Sequence, residues 1–138
     1  MAAVIYAAAA DQDQKMMQYV GSTLLNRLES GKKEFGAENG SINEVIRHPN
    51  AYYEKNSKLY DEFMSGDFKD EASKAAALRA ASVAAALNRG TLERMPGEFW
   101  FNQEEIAKLK KNPKAFNFKA VKDLGTVGKK GQFQMFGY

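Results

Sequence analysis

Cysteine is absent from this 138-residue chain, and histidine occurs once, as His48. Without cysteine there is no disulfide, no thiolate nucleophile and no cysteine-held metal, so packing alone must hold the fold. A lone imidazole is too few for a histidine-rich metal site. No Gly-x-Ser-x-Gly elbow accompanies it either, so His48 is read as structural and neither a metal nor a cofactor is expected. No run of about 18 apolar residues occurs, which argues against a membrane-spanning helix. The first residues also lack the basic-then-apolar pattern of a signal peptide.

Hydrophobic residues make up 44% of the chain, enough at this length to bury a core in a single domain over residues 1–138. The net charge of +3 is unevenly spread: Lys108, Lys110, Lys111, Lys114, Lys119, Lys122, Lys129 and Lys130 face only Glu104, Glu105 and Asp123 in the last third. Such a face attracts polyanions without distinguishing among them, and it also serves as a plain solvated surface. No nucleic-acid-binding motif accompanies the lysines, so a nucleic-acid partner is not expected.

Residues 2 to about 10 suit a short helix, and Gln14 to Ser30 a longer one, because Met17, Val20, Leu24, Leu25 and Leu28 recur at helical spacing before Gly31. Ser41-Ile42-Asn43-Glu44 reads as a capping box, opening a helical turn that runs from Ile42 until Pro49 stops it. Further helices are expected over Ser57 to Met64, Asp70 to Asn88 with Gly90 as its C-terminal cap, and Gln103 to Lys111. Glu98 to Asn102 is aromatic and suits a strand, Phe116 to Phe118 a short strand, and Val127 to Met135 a hairpin turning at Gly128 to Gly131. The expected class is α+β, mainly helical, with a small β lobe and a groove between the two parts.

Four segments, in order, carry a family likeness: Ile5-Tyr6-Ala7-Ala8-Ala9, Leu24-Leu25-Asn26-Arg27-Leu28, Val45-Ile46-Arg47-His48-Pro49 and Phe99-Trp100-Phe101-Asn102. Val127-Gly128, followed by Phe133, matches the closing element loosely. Together they resemble the SleB-type cell wall hydrolases, found in spore formers, bacteriophages and other bacterial lytic systems. The resemblance implies a two-lobed, lysozyme-like fold. It also implies cleavage of peptidoglycan between N-acetylmuramic acid and N-acetylglucosamine, as a lytic transglycosylase or muramidase.

One departure is informative. Where the family places a glutamate after its tyrosine and a small residue, this chain has Ala8. Position 8 is therefore the expected place of the general acid/base, and the chain as it stands is expected to be catalytically inactive. The alternative is a non-catalytic relative that binds glycan or a partner protein.

Glycosidic cleavage needs a proton delivered to the leaving oxygen, and a carboxyl kept protonated by a partly apolar pocket can supply it. Asp11 and Glu98 are the candidates for a second carboxylate, set against plainer roles for Asp11 and Asp13 at a helix start and for Glu44 in its capping box. Tyr6, Asn26, Tyr52, Trp100 and Asn102 are the substrate-binding candidates, with Tyr53 an alternative to Tyr52. Aromatic planes suit the C–H faces of sugars, and Asn26 sits in a helix where its propensity is poor. Alternation along the strand puts Phe99 and Phe101 on one face and Trp100 and Asn102 on the other, and the second pair is assigned to the groove. The expected partner is peptidoglycan, met by a monomer at the cell wall or periplasm after delivery by a phage, by a secretion system or within a longer protein. In a toxin setting an immunity or inhibitor protein joins the partners.

Overall fold

The computed structural model describes residues 1–49 and 57–138, so Tyr52 and Tyr53 lie outside the described residues. The fold is α+β and mainly helical, with one three-stranded antiparallel sheet.

Helix α1, Ala2–Ala9, is buried from Ala3 to Ala9. A helix apolar on every side has no surface face and belongs at the centre of a bundle. It packs against α2 (Gln14–Ser30), α4 (Ser57–Ser65) and α5 (Glu71–Arg89). Its alanines and the small residues of α5 let the axes come close. Gly21 of α2 sits in a tight contact with both neighbours, since an added Cβ would stand 2.5 Å from Leu87 Cδ1 and 3.0 Å from Ile5 Cδ1.

The helix ends follow local chemistry. Asp13 caps α2, its carboxylate accepting from Met16 N at 2.9 Å, and Asp70 caps α5 by accepting from Ser73 N at 2.8 Å. Gly31 and Gly90 end the same two helices in the left-handed conformation, at φ 66° and 75°, which costs glycine least. Helix α3, Ile42–Arg47, is capped by Ser41, but the reciprocal half of the expected box is replaced. The Glu44 carboxylate accepts from the Asn39 side chain at 3.1 Å instead. A full capping box occurs elsewhere: Asn102 and Glu105 cap each other's backbone N–H at the start of α6, Gln103–Lys111.

The sheet runs β1–β3–β2, with β1 at Phe99–Asn102, β2 at Lys122–Val127 and β3 at Phe133–Gly137 in the middle. Trp100 lies opposite Met135 and Asn102 opposite Phe133. Trp100, Phe133 and Met135 join the same hydrophobic core as α1, α2 and α5. The expected strand at Phe116 to Phe118 does not form. Asn117 accepts from Lys119 N at 3.0 Å and turns the chain into a short helical turn over Phe118–Ala120.

The face of Trp100 is likewise reversed from expectation. Only 7% of Trp100 is exposed, among core residues, while Phe99 and Phe101 turn outward to pack on Phe116 at 4.9 and 5.1 Å between ring centres. The helices lie on the Trp100 side of the sheet, so the larger ring fills the deeper space.

Candidate functional site

A cleft of about 570 Å³ opens beside the C-terminal half of α1. Tyr6, Ala7, Ala8 and Asp11 line it from that helix and the turn after it, and Lys69, Asp70, Ser73 and Ala76 from the start of α5. Asn102, Glu105, Gln132 and Phe133 complete it from the sheet and α6. Ala8 is only 6% exposed, and it lines the cleft.

Tyr6 is set by two kinds of contact. Its ring lies 5.7 Å from Phe63 and 5.6 Å from Phe68, and its hydroxyl donates to Glu62 Oε1 at 2.6 Å. Burial first, then the Glu62 hydrogen bond, raises the Tyr6 pKa above its ordinary value, so the phenol is neutral at physiological pH.

The carboxylates around the cleft differ in what else they do. Asp70 takes the Ser73 N–H as a helix cap, and that bond, followed by the Ser73 side chain, holds its pKa below the ordinary aspartate value. Glu105 is committed to its capping box with Asn102. Asp11 is exposed, and no partner among the described residues meets its carboxylate. Its backbone carbonyl accepts from Lys129 Nζ at 2.7 Å, which ties the α1–α2 turn to the turn before β3.

Asp11 and Asn102 thus share the cleft with Ala8 and Tyr6, and among the described residues the candidates Glu98, Asn26 and Trp100 do not. Glu98 does not line it, and its carboxylate accepts from Tyr138 N at 3.2 Å. Asn26 is a strut, because its Nδ2 donates to Met95 O at 2.9 Å and Gly97 O at 2.8 Å, holding the segment that leads into β1. Trp100 is core, as described above. His48 ends α3 and packs on Gly36, where an added Cβ would stand 3.0 Å from His48 Cδ2.

A second hollow of about 470 Å³ lies over the other face of the sheet, lined by Phe99, Phe101, Phe116 and Tyr138, with Arg27 among its walls. Arg27 is 6% exposed, donates from Nε to Glu98 O at 2.7 Å, and stacks over the rings of Phe35, Phe99 and Trp100 at 4.9 to 5.8 Å. Burial pushes its pKa down to about 10, which leaves it charged at neutral pH.

The cleft residues that sequence reasoning missed are Asp70, Glu105, Gln132 and Glu62, the last through Tyr6. Asp70 and Glu105 carry a local signal, since each stands at a helix start, but that signal speaks of capping and not of a cleft. Gln132 and Glu62 carry none. Comparison of the chain with protein-family models, with curated proteins and with solved structures found no match.

Proposed function

We propose that the fold is that of a SleB-type, peptidoglycan-cleaving domain whose acid/base position is occupied here by Ala8. The observation that carries this reading is the place of Ala8 itself. It lies on the wall of the 570 Å³ cleft, after a tyrosine whose hydroxyl and ring are both held, and among alanines and Phe133.

A glutamate at position 8 would stand in a partly apolar wall with the Asp11 and Asp70 carboxylates lining the same space. Desolvation and the two carboxylates favour its protonated form, the form needed to protonate a glycosidic oxygen, against the Lys69 ammonium that lines the same cleft. The resulting carboxylate then accepts the C6 hydroxyl proton of the muramic acid as the ring closes. One group serves as acid and then as base, and no water is consumed. General acid catalysis of this kind contributes roughly 10²–10⁴-fold, so the chain with Ala8 binds glycan and cleaves it negligibly.

The test is mass spectrometry of purified cell wall digested with the Ala8→Glu protein. Muropeptides one water lighter than the hydrolysed product are expected, with the unaltered chain as the inactive control. Reducing ends would assign the reaction to hydrolysis, with Asp11 as the cleft carboxylate able to position water; Asp11→Asn in the Ala8→Glu background would then abolish it.

A second reading, a module that holds glycan or a partner protein without cutting, is favoured by one specific observation. Asp70 and Glu105 are committed to helix caps, and position 8 has no carboxyl. A folded Ala8→Glu protein with no cleavage of any kind would leave that reading in its place.

A further inference from the structure

Gln12 is only 4% exposed, in the turn between α1 and α2. Its Oε1 accepts from the backbone N–H of Lys129 at 3.1 Å, and its Nε2 donates to Gln132 Oε1 at 3.0 Å. A backbone N–H can only donate, so the first bond fixes which end of the Gln12 amide is oxygen. The second bond then fixes the Gln132 amide in turn.

Gln132 therefore gives its oxygen to Gln12 and keeps both N–H groups of Nε2. No acceptor among the described residues meets them, and Gln132 lines the cleft that holds Ala8. An exposed glutamine ordinarily spends rotamer freedom when it binds. Here the tether to Gln12 has already set the side chain.

We propose that Gln132 is a substrate-binding residue, donating from Nε2 to the acetamido carbonyl of an N-acetylated sugar; this rests on the glycan reading above. The chemistry around it selects that group. An NH₂ offers donors only, so it matches an acceptor-only carbonyl better than a hydroxyl, which Asp11 can take as an acceptor at the same cleft. Phe133, the next residue along the chain, lines the same cleft, as does Ala76 of α5, and these apolar surfaces suit the acetyl methyl that lies beside the carbonyl. Gln12 acts only through Gln132 and is a positioning residue.

The inference is tested with the unaltered chain, whose Ala8 keeps oligosaccharides intact during titration. Calorimetry compares chitohexaose with cellohexaose, neutral ligands that differ in the acetamido group. The unaltered protein should favour chitohexaose by about threefold or more, the range of one net hydrogen bond. Gln132→Glu keeps an acceptor for Gln12 Nε2 and loses the donors, so the preference should fall to about one with the thermal midpoint unchanged. Gln132→Met, which has neither, should lose the preference as well and stands in if the glutamate variant does not fold. A preference that survives both substitutions, or an unaltered protein that binds the two ligands equally, overturns the role of Gln132 while leaving the glycan reading in place. An unaltered protein that binds neither ligand overturns the glycan reading, and this inference with it.

Discussion

Trp100 and Ala8 show how opposite the demands on two buried residues can be. Trp100 fills space between the sheet and the helices, and truncating such a ring leaves a cavity that the surroundings close only in part. Trp100→Ala should cost about 3–5 kcal/mol, read as a lowered urea midpoint, with glycan affinity of the remaining folded fraction unchanged. A normal midpoint with lost affinity would move Trp100 to the groove. Ala8 lies on the cleft wall but is only 6% exposed, so Ala8→Glu should lower stability at neutral pH, where the partly buried carboxylate is disfavoured, and should cost less as pH falls and the carboxyl protonates. Gly21 is the contrary case, because its missing Cβ is where Leu87 and Ile5 meet α2. Gly21→Val should overpack that contact and lower stability by about 1–3 kcal/mol in the same urea titration.

At the scale of elements, the helix ends are governed by groups a few residues away, and these can be tested by pH. The Ser73 N–H, and then the Ser73 side chain, hold the Asp70 carboxyl below its ordinary pKa in the folded chain. A depressed folded pKa means a contribution fully present above the unfolded value, near ~3.9, and lost as pH falls through the folded value. The stability difference between the native chain and Asp70→Asn should therefore be largest near neutrality and shrink on acidification below about pH 4, as followed by thermal melts. A difference independent of pH would mean that the carboxylate charge contributes nothing to the cap. The same locality explains why α2, α5 and α6 were legible in the sequence to within a residue or two. Caps, apolar spacing and a terminal glycine all act within one or two turns. The inner face of β1 was not legible, because alternation in Phe99-Trp100-Phe101-Asn102 defines two faces and only the packing of Met135 and the helices decides which is inside. Phe116 to Phe118 misled for a related reason: aromatic residues favour a strand on average, and the Asn117 side chain overrides that locally.

For the whole molecule, the cleft is a product of distant segments. The motif around Tyr6 pointed to position 8, yet Gln132 reaches the same wall from the far end of the chain through Gln12, a bond that spans 120 residues and that no local pattern encodes. The basic third was legible from composition, and all eight of its lysines are exposed. They are not equivalent, however. Lys108 pairs with Glu104 at 3.5 Å, and Lys129 holds the Asp11 carbonyl at the edge of the cleft, so reversing Lys129 would disturb the site as well as the field. Lys111 and Lys119 make no side-chain contact of that kind among the described residues, and neither lines the cleft. Lys111→Glu together with Lys119→Glu therefore changes the long-range attraction and, besides that, only the charge in the last turn of α6, which lies away from the cleft. Peptidoglycan carries anionic groups, and exposed charges act on it over a Debye length of about 10 Å at roughly 0.1 M salt, and about 30 Å at 0.01 M. The double variant should bind purified walls more slowly than the native chain at about 0.01 M salt, by severalfold, and the two rates should converge as salt approaches ~1 M, where screening is complete within about 3 Å. Its affinity for neutral chitohexaose should not change, since that ligand has no charge to steer. Equal slowing at every salt concentration would mean that these lysines touch the wall directly, and no slowing at all would make the basic face a solvated surface with no part in wall association.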